Sequence, residues 1–117
     1  KAVITKEEVV ALQDQVQKAY MADSILDYIA TLAEATRNHP MITLGLSPRG
    51  TLALCRMTKA AAFMEERDYV IPEDVKAAAP WVLSHRIISR GGESFEDARK
   101  YLGQIMEDIP VPMENLR

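Results

Sequence analysis

The chain contains a single cysteine and a single tryptophan among its 117 residues. One cysteine cannot form an internal disulfide, and Cys55 is predicted to be a small buried hydrophobic residue. No signal peptide is recognisable, so a cytoplasmic location is expected. The longest apolar run, Ala77 to Leu83, is far shorter than a membrane span and contains Pro80. The first residue is Lys1 rather than methionine, which suggests a fragment of a longer protein.

Motifs for independent chemistry are also missing. The net charge of −3 argues against a general nucleic-acid binder, which needs a basic surface. No G-x-x-x-x-G-K-[ST] phosphate loop is present. His39 and His85 lie far apart in the sequence and form no H-x-x-x-H pair, so no metal site is predicted. Cys55 has no basic neighbour of the kind that activates a nucleophile. The sequence therefore predicts no catalytic centre that works alone.

Helical periodicity and capping signals occupy most of the chain. We predict an all-α fold, a small bundle of five helices, or six if Pro80 divides the fourth. The Met41 to Leu46 segment is predicted to be a loop, and no strand pattern of useful length appears. The predicted helices run from the Thr5–Glu8 capping box to about Gln17, from Asp23 or Ala22 to about Arg37, from Pro48 to about Glu66, from Pro72 onward, and from Ser94 to about Asp108.

Apolar residues at helical spacing predict the buried face of each helix. Trp81 is expected to be half buried. The predicted core residues, helix by helix, are Val9, Leu12 and Val16; Ile25, Leu26, Ile29, Leu32 and Ala33; Ala53, Leu54, Met57, Ala60, Ala61, Phe63 and Met64; Val75, Ala78, Ala79, Val82 and Leu83; and Phe95, Ala98, Leu102, Ile105 and Met106.

The stretch from Thr43 to Met57 predicts a loop that runs into a helix. Gly45 allows a left-handed backbone turn just ahead of the helix. Ser47 is a good N-cap, and Pro48 suits the first helical position because its missing N–H costs nothing there. Arg49 follows in the first turn, where a cation is unfavourable unless an anion is close by.

This helix start has the chemistry of an anion site. The free N–H groups of the first turn attract anions weakly, and the guanidinium of Arg49 adds a forked, permanently charged donor. Arg56 falls on the same side, Lys59 follows, and no acidic residue occurs before Glu65. The helix could therefore present positive charge to a phosphate or carboxylate. Arg49 could equally lie in solvent or cap a neighbouring helix, and the residues alone favour this second interpretation.

Spaced blocks of sequence resemble the C-terminal part of MoxR-type AAA+ ATPases over essentially the whole chain. These blocks are His39-Pro40, Leu44 to Arg49, Arg67 to Val75, Ala79-Pro80, Val82-Leu83 and His85-Arg86. The resemblance implies that residues 1–117 form the C-terminal helical lid domain of such an ATPase, without the N-terminal α/β nucleotide-binding domain.

The resemblance also implies a role for the helix start. Arg49 corresponds to the sensor 2 arginine, which reaches the γ-phosphate of ATP, with Ser47 and Pro48 beside it in the nucleotide-binding motif. Two positions depart from the family pattern. Ile71 stands where a threonine cap is usual, and Gly50 replaces the alanine that usually follows the arginine. Neither departure changes Arg49.

A mechanism for a whole ATPase follows from the resemblance. ATP and Mg²⁺ would be cofactors of the full-length parent, and we expect the isolated fragment to bind neither and to show no ATPase activity. The expected partners are its own AAA+ domain, neighbouring subunits of a hexameric ring, and a client protein such as one with a von Willebrand A domain. The lid would couple ATP binding and hydrolysis to chaperone-like remodelling or maturation of that client. Neither nucleic acid nor a membrane span is expected.

A second hypothesis has no ATPase role. Ile71 to Lys76 resembles the opening of the last helix in histone-fold proteins, so the chain could be a histone-fold-like or adaptor module for protein–protein interaction. The acidic net charge weakens a DNA-binding version. The Ser47-Pro48-Arg49 motif argues against both the protein-binding and the DNA-binding version, because neither requires it.

Overall fold

Five α-helices dominate the computed structural model, which describes residues 5–40, 42–83, 88–89 and 95–112. They are α1 (Lys6–Gln17), α2 (Asp23–Asn38), α3 (Pro48–Met64), α4 (Pro72–Leu83) and α5 (Phe95–Asp108). Helix α4 continues through Pro80 without a break, so the six-helix alternative does not occur in the described part of the chain. The predicted all-α bundle is confirmed.

A short two-stranded ladder takes one of its strands from the segment predicted as a loop. Strand β1 (Ile42–Leu44) pairs antiparallel with β2 (Ile88–Ser89), and Ile42 stands opposite Ser89. The ladder is too short to change the fold class, but it fixes the path of the chain between α2 and α3. The sequence did not predict it because the two strands are distant along the chain and each is very short.

The helix starts follow the local chemistry of the sequence. At α1, the Glu8 backbone N–H donates to Thr5 Oγ1 at 3.1 Å and the Thr5 N–H donates to Glu8 Oε1 at 2.8 Å, which confirms the capping box. At α4, the N–H of Ile71 donates to Asp74 Oδ2 at 2.8 Å. The carboxylate therefore supplies half of a capping box at Ile71, whose own side chain cannot cap the helix.

Asp74 is also the buried anchor of the turn between α3 and α4. Its carboxylate is 3% exposed and forms a two-pronged ion pair with Arg67, with Nη1–Oδ2 at 2.7 Å and Nη2–Oδ1 at 2.8 Å. The hydrogen bond from Arg67 to Asp74 raises the pKa of the guanidinium. Arg67 also donates to the Tyr69 carbonyl at 3.1 Å. These contacts compensate for burying the carboxylate.

The C-terminus of α3 is a Schellman motif that lacks the usual glycine. The Arg67 N–H donates to the Ala62 carbonyl at 3.0 Å, and the Glu66 N–H donates to the Phe63 carbonyl at 2.9 Å. Glu66 has φ 59°, in the left-handed region that favours glycine. The turn therefore holds a side chain in a strained backbone conformation.

The core lies where α2, α3 and α4 meet, and the contact between α3 and α4 is the most extensive. The predicted inner face of α4 is buried throughout, and that of α2 is buried except for Leu26, which is 43% exposed. Leu102 and Ile105 of α5 are buried as predicted, whereas the side chains of Phe95 and Ala98 lie outside the described residues. The fully buried large side chains include Ile25, Ile29, Leu32, Leu46, Leu54, Val70, Val75 and Leu83.

Four predicted core residues of α1 and α3 are exposed instead. Helix α1 has no buried residue, and Val9 and Leu12 are each 40% exposed, because its main contact is with α3 alone. On α3 the buried row is Gly50, Leu54, Thr58 and Ala62. Met57 and Met64 lie roughly 80–100° around the helix from the centre of that row, at about 100° per residue, and both are exposed.

Trp81 is also more exposed than predicted. It is 65% exposed on α4, and the guanidinium of Arg99 on α5 lies 6.0 Å from the centre of its ring. The buried face of α4 carries Val75, Ala78, Ala79 and Val82, and Trp81 falls outside it. A cation near the face of an exposed tryptophan ring can hold the side chain in position at the surface, so Trp81 does not need to be buried.

Candidate functional site

Ser47 begins α3 as the sequence predicts. Its Oγ accepts a hydrogen bond from the Gly50 N–H at 3.1 Å, and its backbone is extended, with φ −79° and ψ 165°. Pro48 occupies the first helical position. The Ser47 carbonyl accepts from both the N–H and the Oγ1 of Thr51, at 2.9 and 3.0 Å. The first turn of α3 is therefore well defined without any ligand.

The last turn of α2 holds the loop that leads into α3. The Leu46 N–H donates to Thr36 Oγ1 at 2.9 Å, and Arg37 Nε donates to the Leu46 carbonyl at 2.9 Å. Thr36 and Leu46 are 0% and 1% exposed. We call this arrangement of Thr36, Arg37 and Leu46 the Leu46 clamp. It uses both backbone polar groups of Leu46 and joins α2 to the start of α3.

Gly45 is required for a different reason from the one predicted. Its φ does not lie in the left-handed region, so the predicted left-handed turn is wrong. Instead, a Cβ at this position would lie 2.6 Å from the Cα and 2.7 Å from the backbone N of Arg37. Only glycine permits this close approach, which brings Leu46 within hydrogen-bonding distance of the clamp.

Arg49 lies in the first turn of α3 with an exposed side chain. It forms no hydrogen bond or ion pair with any residue that the structure describes. Arg56 is exposed on the same face, since seven residues turn an α-helix almost twice. Lys59 differs because its Nζ donates to the Gln17 carbonyl at 3.3 Å and helps to hold α1. Arg49 is therefore accessible to an anion at the helix N-terminus.

Other candidate groups do not form a site. Cys55 packs against the core but is only half-buried, less than predicted. Burial raises the pKa of its thiol, while Lys59 opposes the shift. The His39 ring is tilted by 40° to the Tyr101 ring, with 5.4 Å between centroids, and His85 lies outside the described residues. Within the described ranges no group of three His, Cys, Asp or Glu side chains could hold a metal ion. None of the helices described is both long and apolar enough to cross a bilayer.

Thr36 and Arg37 belong to this site although they were not predicted from the sequence. One signal was available for Thr36, a polar residue that continues the buried spacing of Leu32 and Ala33 on α2. A polar side chain on a buried face needs a hydrogen-bond partner. The identity of that partner, Leu46, depends on the folded path of the loop.

The sequence around this site matches a known protein family. The family model described as "AAA lid domain" matches residues 34–109, which include the Leu46 clamp and Arg49. The chain belongs to the AAA lid domain family. Within that match lie α3, α4 and the loop that carries Ser47-Pro48-Arg49.

Relatives and a solved structure define the type of lid. The uncharacterized protein YeaC of Bacillus subtilis is 40% identical over 96% of the lid chain and 36% of its own length. The chaperone MoxR1 of Mycobacterium tuberculosis is 28% identical over 75% of the chain and 26% of its own length. A crystal structure of a proposed ATPase from Cytophaga hutchinsonii superposes with TM-score 0.83 at 29% identity, over 96% of this chain and 37% of that one.

The predicted relation to MoxR-type AAA+ ATPases is therefore confirmed, and the fold of the lid is that of the Cytophaga protein. The lid chain spans about a third of the length of the relatives that it matches.

Proposed function

We propose that this lid closes over ATP bound by an α/β domain of the same polypeptide, with Arg49 contacting the γ-phosphate. The observation that carries the proposal is the position of Arg49. Its side chain is exposed in the first turn of α3 and has no partner among the described residues. The turn itself is fixed by Ser47 and by the Leu46 clamp. A fixed helix turn that carries an accessible guanidinium is what a phosphate-sensing arginine requires.

Electrostatics support a phosphate as the ligand. Without an anion, a cation at a helix N-terminus is disfavoured by about 0.3–1 kcal/mol. A triphosphate would remove this penalty and accept paired hydrogen bonds from the guanidinium fork. The sequence lacks a phosphate loop, and the described residues offer no carboxylate cluster for Mg²⁺. The preceding domain would therefore hold the nucleotide and the metal, and the lid would contribute Arg49.

Movement of the lid would couple the nucleotide state of the ATPase to the remodelling of its client protein. Arg49 binds the γ-phosphate before hydrolysis and loses this contact afterwards, so the two nucleotide states favour different lid positions. Rigid-body motion of a domain about an interface is a common way to use such a difference. In a ring, each lid would pass its motion to the neighbouring subunit, and the ring would remodel or mature a client protein. The name of the Mycobacterium relative, a chaperone, supports this proposal.

Steady-state ATP hydrolysis by the full-length ATPase tests the role of Arg49. Arg49→Ala should lower turnover by roughly 10²–10³-fold, the usual effect of removing one donor that stabilises charge in the transition state. Arg56→Ala is the matched control, since it removes an equal exposed charge from the same face of α3.

Nucleotide binding, thermal unfolding and assembly would be measured for both variants. If Arg49→Ala leaves both turnover and ATP affinity unchanged, Arg49 has a structural role. An interaction module without ATPase function would then be the better hypothesis.

A further inference from the structure

Thr36 and Arg37 together hold one peptide segment on the path to Arg49. The Leu46 N–H and carbonyl are bound by adjacent side chains of α2, each at 2.9 Å. Leu46 directly precedes the N-cap Ser47. The hydroxyl of Thr36 also donates to the Ala33 carbonyl at 2.6 Å, which fixes the orientation of its oxygen. Two side chains of α2 therefore hold the start of α3 in place.

We propose that Thr36 and Arg37 are positioning residues for Arg49, a proposal that rests on the phosphate role of Arg49. They do not contact the nucleotide. They hold the first turn of α3 on the last turn of α2, so that the Arg49 backbone keeps a fixed position when the lid closes. Helix α2 and the start of α3 then move as one unit.

Burial explains why these two hydrogen bonds matter for position. Thr36 and Leu46 are 0% and 1% exposed, so water cannot replace a lost bond at the Leu46 N–H. If the hydroxyl is removed, the loop must shift to find another partner. Arg49 acts at the end of a long side chain, so a rotation of the first turn of α3 displaces the guanidinium further than the backbone. A displacement of about 1 Å at a catalytic group can cost 10²-fold in rate.

The close packing of Gly45 also supports a positioning role for the last turn of α2. Its backbone rests against the backbone of Arg37 so closely that a Cβ would lie at 2.6 Å. This approach brings Leu46 to both of its partners. Hydrogen bonds and close packing thus restrain the same short segment, whereas the side chain of Arg49 itself is unrestrained by any described residue.

The test uses the full-length ATPase with four variants. They are Thr36→Val, Thr36→Ser, Arg49→Ala and the double variant Thr36→Val/Arg49→Ala. Thr58→Val is the control, because Thr58 is equally buried at 0% exposure but its hydroxyl has no partner among the described residues. kcat and KM for ATP hydrolysis are measured for each variant, with thermal unfolding as the check on folding.

We expect Thr36→Val to lower kcat at least tenfold with a smaller change in KM. Thr36→Ser keeps the hydroxyl and should stay within about twofold of the wild type, and Thr58→Val should match the wild type. In the Arg49→Ala background, Thr36→Val should cause no further loss, since a residue that acts through Arg49 has nothing left to position.

Two results would overturn the proposal. One is an equal loss from Thr36→Val with and without Arg49, which would show that Thr36 acts elsewhere. The other is unchanged kcat in a folded Thr36→Val enzyme, which would make the clamp purely structural. If Arg49→Ala alone has no effect on kcat, the proposed function of Arg49 is wrong. This result can be distinguished from the two results for Thr36→Val.

A second variant covers the case in which Thr36→Val does not fold. Arg37 is exposed, so Arg37→Ala removes the bond to the Leu46 carbonyl with little effect on the core. It should lower kcat in the wild-type background and not in the Arg49→Ala background. Arg56→Ala controls for the loss of one positive charge. Wild-type kcat in Arg37→Ala would contradict the assignment of Arg37.

Discussion

Two buried threonines should respond in opposite directions to the same substitution. Thr36 and Thr58 are both 0% exposed and both lie in helices. Thr36 Oγ1 accepts from the Leu46 N–H and donates to the Ala33 carbonyl. Thr58 Oγ1 has no partner among the described residues. Substitution by valine conserves size and branching at Cβ, so it isolates the contribution of the hydroxyl.

The magnitudes follow from what each hydroxyl does. Thr36→Val leaves the buried Leu46 N–H without an acceptor, which costs about 1–3 kcal/mol, and it also removes the bond to Ala33. We expect a loss of about 2–3 kcal/mol in the free energy of unfolding. Thr58→Val removes a buried hydroxyl that pays desolvation without a hydrogen bond, so we expect a gain of about 1 kcal/mol.

Urea denaturation of the chain, followed by far-UV circular dichroism, measures both changes. The denaturant midpoint should move down for Thr36→Val and up for Thr58→Val, with the same slope for both. The difference between the variants should be roughly 3–4 kcal/mol, well above the error of the extrapolation. Equal shifts, or a neutral Thr36→Val, would refute the assignment of these hydrogen bonds.

Three further substitutions have defined outcomes. Gly45→Ala forces a Cβ against the backbone of Arg37 and should destabilise the chain by about 1–3 kcal/mol in urea denaturation. Glu66→Gly relieves the left-handed backbone and should stabilise it by about 0.5–1 kcal/mol in the same assay, net of unfolded-state entropy. Burial, and then the carboxylate of Glu73, raise the pKa of Tyr28 above 10.0. Its stabilising contribution is therefore full below that pH and is lost as the pH rises through the raised pKa, and Tyr28→Phe should reduce this alkaline loss.

Each of these predictions has a control within the chain. Gly103→Ala meets nothing within 4 Å in α5 and should stabilise the chain, since alanine favours a helix. Glu65→Gly, where φ is −92°, should give no gain. Tyr20→Phe removes the hydroxyl of a tyrosine that is 53% exposed, and it is the control for the loss of one phenol. A stable Gly45→Ala, a destabilised Glu66→Gly, or an unaltered pH profile for Tyr28→Phe would each contradict its argument.

Local features of the site could be predicted from the sequence. The cap at Ser47, the proline at the first helical position and the capping box at Thr5 depend on residues within one turn of each other. Their side chains reach only nearby backbone groups, so spacing alone determines the contact. The exposed position of Arg49 follows from the same geometry.

Contacts between distant segments could not be predicted in the same way. Periodicity identified the apolar stripe of α1, but it does not reveal whether another element covers that stripe, and Val9 and Leu12 are partly exposed. Gly45 was interpreted through its φ, although the decisive constraint is the backbone of Arg37, eight residues earlier in the chain. The bond between Thr36 and Leu46 joins residues ten apart, through a loop whose path depends on the fold.

The exposed tryptophan gives the lid its own optical reporter. Trp81 is the only tryptophan of the chain, and its indole is already 65% in solvent. Unfolding should therefore shift its emission little, whereas an arriving surface that covers α4 should move the emission to shorter wavelength. The guanidinium of Arg99, 6.0 Å from the ring centre, ties the signal to the neighbouring α5. The fluorescence of Trp81 would thus distinguish the binding of a partner surface to α4 from unfolding.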